Sequence, residues 1–275
     1  MNTEEQLHKI RHTLAHLLAS SVLELFPGSE NAIGPAIENG FYQDFEIKGE
    51  ISDKDLPRIE KKMREKIKEW DRFEARETSL EEVNKIFTEI QDNKYKRVLA
   101  EEFIGEGKTI TLQNSQNKNG KIVFWDLCKG GHVESPVKEI KPDAFKLDRL
   151  AGAYWRGDEK NKMLTRIYGL AFETKEELEA YEKMREEALK RDHRKLGKEL
   201  DLFTFSEYVG SGLPLYTPKG ALIRKLLNEY VEELQSEAGY MQVWTPQIAK
   251  ASLFKTSGHY DKYKEDMFRV VSNYS

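Results

Sequence analysis

In Ile122-Val123-Phe124-Trp125-Asp126-Leu127-Cys128-Lys129-Gly130-Gly131-His132, a β-forming run meets two glycines and a histidine. Side chains alternate along a strand, which puts Ile122, Phe124, Asp126 and Cys128 on one face and Val123, Trp125 and Leu127 on the other. Gly130-Gly131 permits a sharp turn that swings His132 back toward Cys128. Upstream, Thr109 to Leu112 has strand character, and the polar run Gln113 to Gly120 reads as a long hairpin loop joining it to Lys121–Leu127. Such a sheet needs helices against it. From Glu4 to Phe26, Leu7, Ile10, Leu14, Leu17, Leu18, Val22 and Leu25 recur at helical spacing, and Pro27-Gly28 closes the segment. Asn39 to Ile47 has strand composition, Ser52 to Trp70 returns to helical period, and Ser79 with Glu82 has capping-box spacing. The first half therefore predicts an α+β fold of mixed helices and antiparallel sheet.

Beyond Gly169, Thr174 and Glu177 form a second capping-box pair before a highly charged helix that ends near Gly197. The domain boundary is placed along that helix, giving an expected domain 1–170, a linker helix 171–200 and a partial domain 201–275. Gly220 to Ala238 reads as a strongly amphipathic helix and Tyr240 to Thr245 as a strand cut by Pro246.

At 275 residues the chain exceeds the usual single-domain size. With 33% charged residues and no apolar run near the roughly twenty a bilayer span requires, it is expected to have no membrane association. A start at Met1-Asn2-Thr3-Glu4-Glu5 lacks a signal pattern, and the single Cys128 suits a reducing compartment, so a cytoplasmic location is expected. A net charge of −4 attracts nucleic acid poorly, so any RNA contact must come from local basic patches. No glycine-rich phosphate loop is present.

His12 and His16, four apart on a helix, project from one face. With Cys128 and His132 they supply three imidazoles and a thiol, a set suited either to metal ligation or to activating a water for hydrolysis. Asp126, a carboxylate on a buried strand, must find partners.

Several blocks resemble the threonyl-tRNA synthetase family: Arg11-His12-Thr13-Leu14-Ala15-His16, Ala32-Ile33-Gly34-Pro35, Asn39-Gly40-Phe41-Tyr42, Cys128-Lys129-Gly130-Gly131-His132, Ala151 to Asp158, Met163 to Gly169 and Arg191 to Gly197. The resemblance runs from about His8 to Phe268. The first half is also similar to the editing domain of alanyl-tRNA synthetase and its free-standing relatives, while the later blocks are particular to the threonyl enzyme. Gln43 stands where that family often has tyrosine, and Gly131 where it often has proline.

This resemblance implies an editing domain that hydrolyses Ser-tRNA(Thr), followed by the opening of a class II antiparallel-sheet catalytic domain. His12, His16, Lys96, Asp126, Cys128 and His132 would line the editing pocket. In it, His12 and Lys96 would position or polarise the attacking water, and Asp126 and Cys128 would help recognise the seryl group. Editing is expected to need no cofactor and no metal, although His12, His16, Cys128 and His132 would be the ligands if zinc were bound. ATP and the zinc of the complete ligase would bind beyond Ser275. Lys146, Arg149, Tyr154, Trp155, Arg156, Lys162 and Arg166 mix cations with aromatics in a way that suits a tRNA 3′ end. Gly239 to Pro246 resembles class II motif 1, which implies a homodimer with Leu226, Tyr230 and Pro246 at its interface.

Overall fold

A computed structural model describes residues 3–268 and 270. The chain divides into two compact units, 1–189 and 190–275.

Strand pairing in the first unit yields two antiparallel sheets. Its elements run α1 (Thr3–Leu25), β1 (Glu30–Asn31), β2 (Ala36–Ile37), β3 (Gly40–Glu46), α2 (Leu56–Glu69), β4 (Trp70–Thr78), α3 (Leu80–Lys85), α4 (Lys94–Gly105), β5 (Ile110–Asn117), β6 (Ile122–Leu127), α5 (Pro136–Glu139), β7 (Phe145–Tyr154), β8 (Met163–Ala171) and α6 (Lys175–Lys190). One sheet has the order β1-β3-β8-β7, with β2 also paired to β3; the other has the order β4-β5-β6.

The apolar stripe of α1 joins them. Leu14, Leu18 and Val22 pack in one cluster with Phe41 and Phe45 of β3, Ile59 and Met63 of α2, Trp70 of β4 and Phe124 of β6. Each fully buried side chain of this size contributes about 1.5–3 kcal/mol, so α1 is held firmly against both sheets. The far face of the three-stranded sheet, with Ile110 and Leu112 of β5, is covered by Val83 of α3, Phe87 of the helical turn Ile86–Ile90 that follows it, and Ala100 of α4.

One loop assignment is corrected. Gln113 to Asn117 belong to β5, and Gln113, Asn114, Ser115 and Gln116 are buried. Ladder pairing with both neighbours decides this: Gln113 faces Ala75 on one side and Asp126 on the other, Ser115 faces Phe73 and Phe124. Satisfied backbone groups and side-chain bonds such as Gln116 Nε2 to Asn114 Oδ1 at 2.8 Å carry polar residues into the sheet despite their turn-like composition. The chain reverses only after Asn117. The capping pairs act at their N-cap residues: Ser79 accepts from Glu82 N, and Thr174 from Glu177 N.

In the second unit, α7 (His193–Glu199) starts at the N-cap Asp192, so the charged helix is two helices rather than one. It is followed by the short hairpin β9 (Phe203–Thr204) and β10 (Leu215–Tyr216), then α8 (Pro218–Glu237), α9 (Ala251–Thr256) and α10 (His259–Tyr263). The strand expected over Tyr240 to Thr245 does not form. Among the described residues no strand pairs with it, and a lone strand leaves its ladder groups unmade. Met241, Val243 and Trp244 are accordingly exposed, as are Leu226 and Tyr230 on α8.

No helix of the described residues is long and apolar enough to cross a membrane.

Candidate active site

Helix geometry and strand alternation bring the two histidine motifs together. His12 and His16 sit one turn apart on α1 with ring centroids 5.0 Å apart. Past the end of β6, Cys128 keeps its backbone paired to Thr111 O, so the strand's alternation still governs where its thiol points. Gly130 and Gly131, at φ of +87° and +82°, make the turn that returns His132 to the thiol. Cys128 Sγ lies 3.3 Å from His12 Nε2 and 3.5 Å from His132 Nε2. The ring of His132 is sandwiched between His12, at 4.3 Å, and Phe73, at 4.7 Å.

Lys96 arrives from α4, where it occupies the third helical position. Asn93 caps this helix and accepts from Lys96 N at 3.2 Å. A cation is unfavourable at a helix N-terminus, but Lys96 Nζ is bonded to Asp126 Oδ1 and to Ala32 O, the latter at 2.6 Å. The pair is buried on both sides. Two fully buried amides steady it: Asn93 Nδ2 donates to Asn31 O and Oδ1, and Asn31 Nδ2 points at Asp126 Oδ2 at 3.4 Å.

Electrostatics keep the cluster neutral. Burial lowers the pKa of His12, with Asp126 and the Gly131 backbone opposing it. Burial lowers His16 much further, and His12 and Lys96 add to the effect. His132 is lowered by burial, then by His16 and His12. A neutral His16 at 3.8 Å from Asp126 makes neither an ion pair nor a hydrogen bond, and its buried Nδ1 has no partner among the described residues. The Cys128 thiol is pushed up to about 12 by burial and then by Asp126, so it stays protonated.

His12, His16, Lys96, Asp126 and Cys128 border a cavity of about 430 Å³ that Gly34, Gln43 and Arg156 also line, while His132 lines a separate cleft with Gln6, Ile10 and Glu139. Gly34 is required there, because a Cβ would lie 1.8 Å from Gln43 Oε1 and 2.8 Å from Tyr42 O. Arg156, at φ +62°, holds a left-handed conformation that disfavours side chains. His12, His16, Lys96, Asp126, Cys128 and His132 are thus in one place.

The basic set is less unified. Only Arg156 of that set reaches the cavity, and each cation already has an acidic partner: Lys146 with Glu182, Arg149 with Asp148, Arg156 with Glu102, Lys162 with Glu46, and Arg166 with Asp44. Arg149 and Arg166 stack on Tyr168 and Tyr42 at 4.2 and 3.9 Å, Trp155 packs against Tyr95, and Tyr154 is exposed. Sequence reading missed Asn31 and Asn93. Asn93 carried a signal, an N-cap residue type ahead of a helix; Asn31 carried none.

Residues 103–168 match the Threonyl and Alanyl tRNA synthetase second additional domain, which takes in Asp126, Cys128 and His132. The whole chain is 49% identical over 268 residues to a threonine--tRNA ligase of Gloeobacter violaceus, covering 98% of this chain and 41% of that protein. The chain is a relative of the threonine--tRNA ligases. Those of Borreliella burgdorferi and Rubrobacter xylanophilus are each 46% identical, over 98% and 97% of this chain and 45% and 40% of their own lengths. The chain therefore spans less than half the length of these threonine--tRNA ligase relatives.

Four ligand atoms, one each from His12, His16, Cys128 and His132, lie within 4.8 Å of one another. Tetrahedral zinc at ordinary bond lengths needs ligand atoms about 3.5 Å apart, so the donor set fits after a small contraction. It would have to displace the thiol proton.

Proposed function

We propose that this chain carries the editing activity of a threonine--tRNA ligase and hydrolyses the ester of tRNA(Thr) mischarged with serine. The observation that carries this reading is the convergence of His12, His16, Lys96, Asp126 and Cys128 on one cavity of about 430 Å³, with His132 against the Cys128 thiol at 3.5 Å. A ligase site that accepts threonine rejects serine weakly, since one methyl group is worth only about 1–3 kcal/mol, and a hydrolytic second sieve makes up the difference.

The chemistry follows from the charge states. A neutral imidazole is the base available at neutral pH, and His12 borders the cavity half-buried. It accepts a proton as water attacks the ester carbonyl. Lys96 uses two of its N–H donors on Asp126 and Ala32 O, which leaves a third for the developing oxyanion. The carbon–oxygen ester bond then breaks, and the terminal ribose hydroxyl leaves with a proton while serine departs as the free acid. Asp126 and the Cys128 thiol face the seryl group.

tRNA(Thr) is the macromolecular partner. Its 3′ end is bound by Arg156 at the rim and by Lys146, Arg149, Tyr154, Trp155, Lys162 and Arg166, whose surface ion pairs cost little to exchange for phosphate. The complete ligase attaches threonine to tRNA(Thr) with ATP and zinc in the cytoplasm, and pairs as a homodimer through Leu226, Tyr230 and Pro246.

The ligand-atom cluster favours a second reading, zinc held by His12, His16, Cys128 and His132. Held by all four side chains zinc would have a filled tetrahedral shell, so it would supply a polarised water only if one of them let go, and Lys96 and Asp126 would keep their places. Incubating the purified chain with Ser-tRNA(Thr) and Thr-tRNA(Thr) tests the proposal: seryl release with threonyl ester spared is expected. Tight tRNA binding without ester cleavage would leave a non-catalytic tRNA-binding module instead.

A further inference from the structure

His132 is held by contacts of two kinds, and they fix different things. Stacking between His12 and Phe73 sets the plane of the ring. It does not set which nitrogen carries the proton, because a stacked ring presents the same face in either tautomer. That choice falls to a contact in the ring plane. Thr13, the fully buried neighbour of His12, places Oγ1 3.3 Å from His132 Nδ1.

The hydroxyl has a single proton to give. Lys9 O, one helical turn back, lies 2.8 Å from Oγ1 and is the closer acceptor, the usual back-bonding of threonine inside a helix. Val133 N donates to the same oxygen at 3.2 Å. A hydroxyl that donates to Lys9 O and accepts from Val133 N has one acceptor site left. The group facing it must then be an N–H.

We infer that Thr13 is a positioning residue that holds His132 in the Nδ1–H tautomer, so that the Nε2 lone pair is turned to the Cys128 thiol. Two imidazole nitrogens, His12 Nε2 at 3.3 Å and His132 Nε2 at 3.5 Å, then face one S–H, which can donate to only one of them at a time. When the thiol donates to His132, His12 is free to take a proton from water. Gly130 O, also 3.5 Å from Sγ, is a third acceptor for the thiol, and fixing His132 as an acceptor adds the one that lies in the ring cluster. Thr13 touches no substrate and acts through His132 alone, much as a hydrogen-bonded partner orients a histidine ligand or base elsewhere. The effect on catalysis rests on the editing reading; the tautomer does not.

The test uses the 275-residue chain labelled with nitrogen-15 in histidine, with His132 assigned from a His132→Gln variant. Long-range proton–nitrogen correlation at about pH 7.5 is expected to show His132 as a single Nδ1–H tautomer, with Thr13→Ser preserving it. Thr13→Val is expected to shift signal toward the Nε2–H form and to lower kcat for seryl release roughly tenfold, with KM changed less than about twofold. Should Thr13→Val fail to fold, the wild-type and Thr13→Ser spectra decide. A wild-type His132 protonated on Nε2, or a tautomer unmoved in folded Thr13→Val, would overturn the assignment. An Nδ1–H signal in a protein that releases no serine would support the tautomer assignment while removing the editing reading.

Discussion

Cys128 Sγ sits 3.3 Å from His12 Nε2, across 116 positions of chain. The helix and the strand end that carry them meet only because α1 packs against both sheets, so site and core are assembled by the same contacts. Changes that loosen α1 should therefore reach the chemistry as well as the stability.

The buried pair of Lys96 and Asp126 gives the largest expected effect on stability. Lys96→Met leaves Asp126 buried without its cation and should cost about 3–5 kcal/mol in urea unfolding. The double variant Lys96→Met/Asp126→Leu should regain most of that loss while releasing no serine. A single variant as stable as the parent would mean that Asp126 has another partner strong enough to replace Lys96.

Asn93 caps α4 and also donates to Asn31, and the two roles can be separated. Asn93→Ala should lose about 1–2 kcal/mol. Asn93→Asp restores an oxygen cap yet cannot donate to Asn31, so stability should recover further than seryl release does. Equal recovery of both would show that the cap alone matters.

How far this site could be read from sequence differs residue by residue. His12 and His16 follow from helical spacing, and Cys128 and His132 from strand alternation ended by two glycines; all four are short-range patterns. Lys96 has no local signature, because what makes it unusual is a carboxylate thirty positions away in sequence. Asn31 is the extreme case: it acts through a tertiary contact alone. The buried polar strand Gln113 to Gln116 was obscured for a related reason, since its partners on β4 and β6 override composition. The missing strand at Tyr240 to Thr245 is the converse, β-prone residues with nothing to pair with among those described.

Three imidazoles held below their ordinary value of 6.5 make stability depend on pH. Above 6.5 they are neutral in both states and their contribution is constant. As pH falls below it, the unfolded chain takes up protons that the fold refuses, so stability drops by up to about 1.4 kcal/mol per pH unit for each imidazole. Glu46 acts separately: burial raises its pKa, but Lys162, Lys94 and Tyr95 outweigh this and hold it near 2, so its contribution fades only below 4.5. Urea unfolding of metal-free protein between pH 7.5 and pH 5.5, on either side of the ordinary histidine value, checks this. A flat profile would mean the imidazoles are not shielded.

Metal and water compete for the same four side chains. With water-based chemistry, a chelator should leave seryl release unchanged, and added zinc should inhibit by engaging His12, His16, Cys128 and His132 and expelling the thiol proton. Loss of activity on chelation, restored by zinc and absent in Cys128→Ser, would favour the metal reading.

The most direct measurement follows the first-order release of serine from Ser-tRNA(Thr) with the purified chain in excess, beside Lys96→Ala and a buffer control. The chain should accelerate release well beyond buffer and spare Thr-tRNA(Thr), and Lys96→Ala should fall by roughly a hundredfold or more, as when an oxyanion donor is removed. Release no faster than in buffer, or a Lys96→Ala rate equal to that of the parent, would contradict it.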